Sequence, residues 1–435
     1  MSIARRFLSI LLFCFFLVLA TGASCGGAGL ERIKYNNPGL VVDMGVGLWA
    51  WPLPMDYDKD GDNDLVVSCN DDVSNGMYFF ENASGDVKMP VFKPPVKIGT
   101  RGWADIHASY INGEVRILLW RKEIVDFYDK KTNFEKTVKI YHKKFGNHWK
   151  YCNYEGDGDL DMIVGDGDWS DYGWDDSFDK TGNWTSGRIH GYVYIIKNNG
   201  TNDKPDYGEP VKVEAADRPI DVYGMPSPNF GDFDGDGDAD LICGSFTGEI
   251  TYFENIGAGT EPIFASGRAL RYAGRDIRMD LCMIVPVGMD WDKDGDIDLI
   301  VGEEDGCVSF MENTGKVEDS LPVFIPPRFF QQEADEVKFG ALVTPFGFDW
   351  DGDGDEDLIC GNTAGYVGFI ENLGGGDRPK WAKPVYLEAD GEVIRIQAGY
   401  NGSIQGPAEK KWGYTTLSVA DWDGDGLADI MLNSI

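Results

Sequence analysis

The chain has 435 residues with 39 basic and 73 acidic side chains, a formal net charge of −34, and 43% hydrophobic and 13% aromatic residues. That apolar content suffices for a sizeable core and excludes wholesale disorder, while the acidic excess excludes a phosphate-backbone footprint for nucleic acid. The 56 glycines and 20 prolines argue for many tight turns rather than a helical protein.

Residues 1–24 read as a secretory signal. Arg5 and Arg6 form the basic start, residues 7–20 are an apolar run too short for a comfortable membrane helix, and small residues at 21–24 suit cleavage before Cys25. Cys25 with two following glycines is also similar to a bacterial lipoprotein start, although Gly22 stands where leucine is usual there. Residues 25–435 are then one exported domain, secreted, periplasmic or surface-anchored. Past the signal, Cys69, Cys152, Cys243, Cys282, Cys307 and Cys360 form no CxxC pair, which argues against zinc and for small buried hydrophobes on strands.

One string recurs six times: DYDKDGDNDLVV from Asp56, NYEGDGDLDMIV from Asn153, DFDGDGDADLIC from Asp232, DWDKDGDIDLIV from Asp290, DWDGDGDEDLIC from Asp349 and DWDGDGLADIML from Asp421. The intervals are 97, 79, 58, 59 and 72 residues, a period near 60 with insertions. The longest gap has room for a degenerate copy over about residues 99–145, where YINGEVRILL aligns its Gly113 with the motif glycine. Each unit runs from an acidic loop through a β-branched strand ending in glycine to an aromatic strand ending in Asn-x-Gly, then a Pro-x-Phe-like segment. Four strands per unit, repeated seven times, predict an all-β, seven-bladed β-propeller. The last unit ends after two strands, and KYNNPG followed by LVVDMG at residues 34–45 is expected to supply the missing ones; the alternative is a chain whose final strands lay beyond Ile435.

The acidic loops are calcium chemistry. Alternate residues of a tight loop face one centre, the glycine at position 6 permits the turn, and calcium takes six to eight hard oxygen ligands. The candidate ligands occupy positions 1, 3, 5, 7 and 9. They are Asp56, Asp58, Asp60, Asp62 and Asp64, then Asn153, Glu155, Asp157, Asp159 and Asp161. The third and fourth copies supply Asp232, Asp234, Asp236, Asp238 and Asp240, then Asp290, Asp292, Asp294, Asp296 and Asp298. The last two supply Asp349, Asp351, Asp353, Asp355 and Asp357, then Asp421, Asp423, Asp425, Leu427 and Asp429. Leu427 fits only if position 7 ligates through its carbonyl. About six Ca2+ sites are expected, the Asn153 copy being the weakest.

These strings resemble the FG-GAP, or VCBS, repeats, similar to the calcium-binding blades of integrin α heads, across nearly all of the mature chain. The resemblance implies a calcium-stabilised propeller used for adhesion or recognition, with some polysaccharide lyases on comparable scaffolds. It also implies that the calcium loops share one face, with the ligand on the other.

Two insertions fall on that other face. Residues 165–191 carry Trp169, Tyr172, Trp174 and Trp184 among polar residues, and residues 394–415 carry Tyr400, Lys410, Lys411, Trp412 and Tyr414. Flat aromatics suit sugar rings; equally, they fold into their own small core. Arg271, Arg275 and Arg278 suit the acid groups of an anionic glycan, or pair with this chain's own acids. Catalysis has thin support: His190 with Arg188, or His148 near Tyr151, would serve a lyase. The expectation is an exported recognition propeller for a glycan or protein, the second reading being a lyase of an anionic glycan.

Overall fold

The computed structural model describes residues 31–131 and 134–434; the signal segment and Cys25 lie outside the described residues. Residues 35–435 form one compact unit. It is all-β: among the described residues there is no α-helix, only two single 3-10 turns at Asp175–Ser177 and Pro407–Glu409.

Seven antiparallel sheets follow the repeat. Sheet 1 is Trp51–Met55, Asp64–Cys69, Gly76–Phe80 and Val96–Gly99; sheet 2 is His107–Ile111, Glu114–Leu119, Lys122–Ile124 and Thr137–Lys139. Sheet 2 occupies the stretch read as a degenerate copy. Sheet 3 is His148–Cys152, Asp161–Asp168, His190–Ile196 and Val211–Lys212, with Asp221–Tyr223 also pairing on its third strand. Sheet 4 is Ser227–Gly231, Asp240–Gly244, Ile250–Phe253 and Arg268–Ala269, and sheet 5 is Val285–Met289, Asp298–Gly302, Val308–Met311 and Arg328–Phe329. Sheet 6 is Thr344–Phe348, Asp357–Gly361, Val367–Ile370 and Val385–Tyr386; sheet 7 has only Thr416–Ala420 and Asp429–Asn433. In each motif-bearing sheet the acidic loop joins the first two strands, and the β-branched run after it forms the second strand, which is fully buried in sheets 1, 4 and 5, mostly buried in sheets 3 and 6, and half-buried or exposed in sheet 7.

The expected ring of seven is corrected by the packing. The first strands of sheets 1 to 5 pack in order, and that of sheet 5 packs back on sheet 1. The core divides accordingly: one cluster joins Leu65, Val67 and Phe80 of sheet 1 to Trp291, Ile300 and Phe310 of sheet 5. The seam is tight. A Cβ on Gly302 would lie 2.1 Å from the Ala50 carbonyl oxygen, so only glycine lets the end of this strand approach its neighbour. Asn63 Nδ2 donates to the Trp291 carbonyl at 2.8 Å and Trp291 Nε1 to the Lys88 carbonyl at 3.1 Å. No room is left for two more sheets in this seam. Sheets 6 and 7 pack on each other instead, through Ile359, Val367 and Val419.

The expected closure of the last unit by the amino-terminal segment is also corrected. Val41–Asp43 pairs antiparallel with Gln331–Glu333, which in turn pairs parallel with Val91–Phe92. Tyr35 and Val42 bury against Phe339, Cys360, Ile370 and Trp381 beside sheet 6. Asn36 and Asn37 donate to the carbonyls of Pro379 and Trp381, so the segment's apolar side is used up before it can reach sheet 7.

Polar groups sit at the centre of the five-sheet ring. Lys150 donates to Asn229 and, at 3.0 Å, to the Pro286 carbonyl, and burial pushes its ammonium down to about 7. His107 and His148 lie 4.8 Å apart against Trp51 and are fully buried. Among the described residues their ring nitrogens have no hydrogen-bond partner.

Candidate metal centres and ligand face

Each acidic loop is wound by its own backbone. The N–H of the position-6 glycine donates to the position-1 side chain in the copies at Asp56, Asn153, Asp232, Asp349 and Asp421, at 3.1–3.2 Å. These glycines need a left-handed backbone, φ being +106° at Gly61 and +97° at Gly354. At position 4 Lys59 and Lys293 accept a φ of +67° and +62°, where the other copies have glycine.

The winding brings carboxylates together. Oxygens of Asp56, Asp58 and Asp64 lie within 4.8 Å of one another, and so do those of Asp232, Asp234 and Asp236; Asp290, Asp292 and Asp294; Asp349, Asp351 and Asp353; and Asp421, Asp423 and Asp425. Buried carboxylate oxygens of Asp62, Asp238, Asp290 and Asp292 have no hydrogen-bond partner among the described residues. An orphaned, desolvated carboxylate oxygen in a cluster of like charge is costly unless a cation meets it. Hard oxygen donors at this spacing fit Ca2+. Burial first, then the neighbouring carboxylates, raises Asp62, Asp238 and Asp296 above the usual carboxylate range.

The Asn153 copy differs. Its position 1 is neutral, and Glu155 is drawn to Lys197 Nζ at 2.9 Å, which is also held by Glu261. Asp157 and Asp159 belong to no three-acid cluster among the described residues.

Position 9 has a structural role that the sequence pattern did not reveal. Asp298 accepts from the Trp291 N–H at 3.0 Å on one oxygen and from the Asn313 N–H at 2.8 Å on the other. Asp64, Asp161, Asp240 and Asp357 make the same pair of bonds, each to the residue after position 1 and to the asparagine just past the third strand, which stands in Asn-x-Gly in all but the first copy, where Asn82 is followed by Ala-Ser-Gly. That asparagine in turn accepts from its own glycine, as in Gly257 N–H to Asn255 at 3.0 Å. The two recurring motifs are thus one unit: the aspartate ties the loop to the third strand. Burial pushes Asp64, Asp240 and Asp298 up to about 7. Asp429 accepts from the Trp422 N–H at 2.8 Å and has no third-strand asparagine to bind among the described residues. Asp351, Asp353, Asp355, Asp425 and Leu427 are exposed or half-exposed on the loops of sheets 6 and 7.

On the opposite ends of the strands the two insertions meet. Tyr172 donates its hydroxyl to the Gln405 carbonyl at 2.6 Å and accepts from the Ala408 N–H at 3.1 Å. Tyr172, Ile189, Phe246, Cys282 and Ala408 form a buried cluster, with Trp169, Trp184 and Trp412 packed against it half-buried. Trp174 stands out from this cluster, 53% exposed and stacked parallel on Trp169 at 5.8 Å. The three arginines do not converge. Arg271 pairs with Asp276 at 2.8 Å on an exposed hairpin that also carries Arg275, whereas Arg278 reaches Glu249 at 3.5 Å.

His190 and Arg188 are brought together by Asp221, a residue not singled out by the sequence. Asp221 Oδ2 lies 2.7 Å from His190 Nδ1 and 2.8 Å from Arg188. Burial works against its charge, yet the hydrogen bonds from His190 and Arg188 hold it below the usual carboxylate range. His148 instead faces the ring centre, and the Tyr151 hydroxyl turns to Glu123 at 3.3 Å.

Two clefts open on this face. One, of about 440 Å³, runs past Arg188, Asp221, Glu249 and Lys410. The other, of about 450 Å³, lies between sheet 5 and the 394–415 insertion and is lined by Arg278, Glu303, Tyr366, Tyr386, Arg395 and Lys411. Of these, the sequence pointed to Arg188, Arg278, Lys410 and Lys411; Glu303, Tyr366, Tyr386 and Arg395 carry no motif.

No protein-family model and no curated protein matches the chain. Among solved structures it is similar to an Agrocybe aegerita lectin that recognises non-reducing terminal N-acetylglucosamine, at 16% identity over 93% of this chain and 84% of that one, with a TM-score of 0.24. It is also similar to a NanB chain described with Optactamide, at 11% identity over 88% of this chain and 52% of that one, with a TM-score of 0.22. Likenesses this low carry no argument about fold or ligand.

Proposed function

We propose that this chain is an exported, calcium-stabilised recognition module built on a β-propeller of FG-GAP/VCBS-type repeats, and that it binds a glycan on the face opposite the acidic loops. The observation that carries the reading is the division of labour between the two faces. On one side, acid loops of a single design hold orphaned carboxylate oxygens, as at Asp290 and Asp292. On the other, two open clefts are lined by tyrosines, arginines and lysines.

Calcium, when bound, supplies charge neutralisation and cross-links within each loop. Asp56, Asp58 and Asp64 would hold one ion, and the Asp232, Asp290, Asp349 and Asp421 loops would hold others through positions 1, 3 and 5. The module's own residues do the rest: the position-9 aspartates of sheets 1 and 3 to 6 tie each of those loops to its third strand. A glycan array probed with and without calcium, alongside a melt in chelator, tests both halves. Binding of no glycan would remove the recognition reading, and an unchanged melt in excess chelator would remove the calcium reading.

A second reading, a lyase of an anionic glycan, is favoured by one observation. His190 is oriented through Nδ1 by Asp221 with Arg188 alongside, an arrangement suited to a base beside a charge neutraliser. Ultraviolet absorbance from unsaturated uronate ends, on incubation with pectin, ulvan or heparin-like polymers, separates an enzyme from a binder.

A further inference from the structure

The cleft between sheet 5 and the 394–415 insertion stands apart from the acidic character of the chain. Three cations, Arg278, Lys410 and Lys411, surround the single carboxylate Glu249, the first two at 3.5 Å. Arg278 and Lys411 also line the cleft, whose acids are Asp280, paired with Arg395, and Glu303. Arg395 is different: its guanidinium is taken by Asp280, at 2.6 Å to the carboxylate and 3.0 Å to the carbonyl. It lies over the Tyr366 ring at 4.4 Å and locks that ring in place. Tyr366 stacks on Tyr386 with ring centroids 4.3 Å apart, and Tyr386 is 45% exposed. The pair therefore presents a rigid aromatic surface to the cleft.

Glu303 supplies the second, independent observation. It is fully buried and lines the same cleft, and its Oε2 has no hydrogen-bond partner among the described residues. Its other oxygen accepts from the Leu281 N–H at 3.3 Å. A polar atom so placed calls for a partner that the chain itself does not provide.

We propose that this cleft binds an acidic sugar, a pyranose carrying a carboxylate, with Arg278 and Lys411 receiving the carboxylate, Tyr386 under the ring and Glu303 hydrogen-bonded to a ring hydroxyl. The inference rests on the glycan-binding reading and names its ligand class. Each part follows from the chemistry present. Arg278 is held by Glu249 only at 3.5 Å, and Lys411, which donates to the Met279 and Leu281 carbonyls at 2.7 and 3.4 Å, keeps one donor for a ligand; such groups recognise carboxylate oxygens. A fixed aromatic face covers the C–H side of a pyranose at low entropic cost. Burial, followed by the charges of Asp305 and Asp280, pushes Glu303 upward, which favours the neutral carboxyl that can donate to a hydroxyl without repelling the acid.

The test is titration calorimetry of the calcium-loaded protein with galacturonate, glucuronate and mannuronate tetramers, each paired with its methyl ester. At least one acid tetramer is expected to bind, its ester about tenfold or more weaker. Arg278→Ala and Tyr386→Ala are each expected to weaken the acid tetramer by a similar factor. Rising salt should weaken it further, because exposed charge pairs are screened. Glu303→Gln keeps a donor at the same place and is expected to retain binding, with its melt as a check on folding. Failure of all three acid tetramers, equal binding of acid and ester, or indifference to both substitutions would overturn the proposal. A glycan array positive for other sugars under those outcomes would leave the broader reading standing. A sulfated oligosaccharide that binds where no uronate does would overturn the carboxylate assignment in favour of sulfate.

Discussion

Two tyrosines in the cluster beneath the insertions give a matched test of what holds the two insertions together. The Tyr172 hydroxyl bridges residues 165–191 and 394–415 by donating to the Gln405 carbonyl and accepting from the buried Ala408 N–H. The hydroxyl of Tyr223, packed against the same cluster, has no hydrogen-bond partner among the described residues. Tyr172→Phe removes two hydrogen bonds. At about 0.5–1.5 kcal/mol each, the net loss is about 1–3 kcal/mol. Tyr223→Phe removes a hydroxyl that contributes none and should be neutral or slightly stabilising, within about 0.5 kcal/mol. Because the perturbation is local, hydrogen exchange is the right assay. The Ala408 amide should exchange about 5- to 150-fold faster in Tyr172→Phe, since every 1.4 kcal/mol is tenfold. Proteolytic cutting within residues 165–191 should rise in parallel. Equal effects from the two substitutions, or a larger one from Tyr223→Phe, would refute the claim that this bridge holds the two insertions together.

The acidic loops predict a steep fall of the melting temperature in excess chelator: at calcium tenfold above its dissociation constant each occupied site contributes about 1.4 kcal/mol. Asp292→Asn with Asp294→Asn should remove one site's share in calorimetry, a loss that should vanish or reverse once chelator is present, because the substitutions then relieve like-charge repulsion at the cost of the Lys88 ion pair. Trp174→Ala should leave the melt within about 0.5 kcal/mol of the parent, because the ring is 53% exposed, while weakening any sugar that stacks there; a large loss of stability would place it in the small core instead. The buried histidines set a pH dependence. Burial lowers His107 well below 6.5 and His148 to about 3, so between pH 6.5 and about 3 the unfolded imidazoles take up protons that the folded ones do not. Stability therefore falls as pH drops through this window. Acidification should cost the parent more than the His107→Leu/His148→Leu double variant, measured as the melting-temperature difference between about pH 7.5 and pH 5; equal losses would refute the buried, neutral pair.

The position-9 aspartates show how the two recurring motifs work as one. Asp-x-Asp-x-Asp-Gly winds on itself through bonds spanning two to five residues, such as Gly237 N–H to Asp232. A local arrangement of that kind is legible in a single string. The link to the asparagine spans 15 residues in the Asp240, Asp298 and Asp357 copies but 18 from Asp64 and 37 from Asp161, so the sequence shows both motifs without showing that they are joined. The glycine that ends each DLIxG run was equally visible, but its reason was not: Gly302 is required by the Ala50 carbonyl, more than two hundred residues away.

The chain's own residues thus determined the strand content, the sheet-by-sheet meander and the design of the acidic loops, because each depends on neighbours within one repeat. Tertiary packing alone decided which sheets close on which. Sheets 5 and 1 meet through Trp291, Asn63 and Lys88, and the amino-terminal strand goes to Gln331–Glu333 because Tyr35 and Val42 find their apolar partners beside sheet 6. The two clefts were hidden for the same reason. Arg278 and Lys410 reach Glu249 from separate segments, and Glu303 lines the same cleft as Tyr386 and Lys411 only after sheet 5 and the second insertion have come together. A repeat specifies what its own unit buries. Contacts between residues a hundred or more positions apart leave no spacing to read, because their geometry comes from the summed packing of every sheet between them.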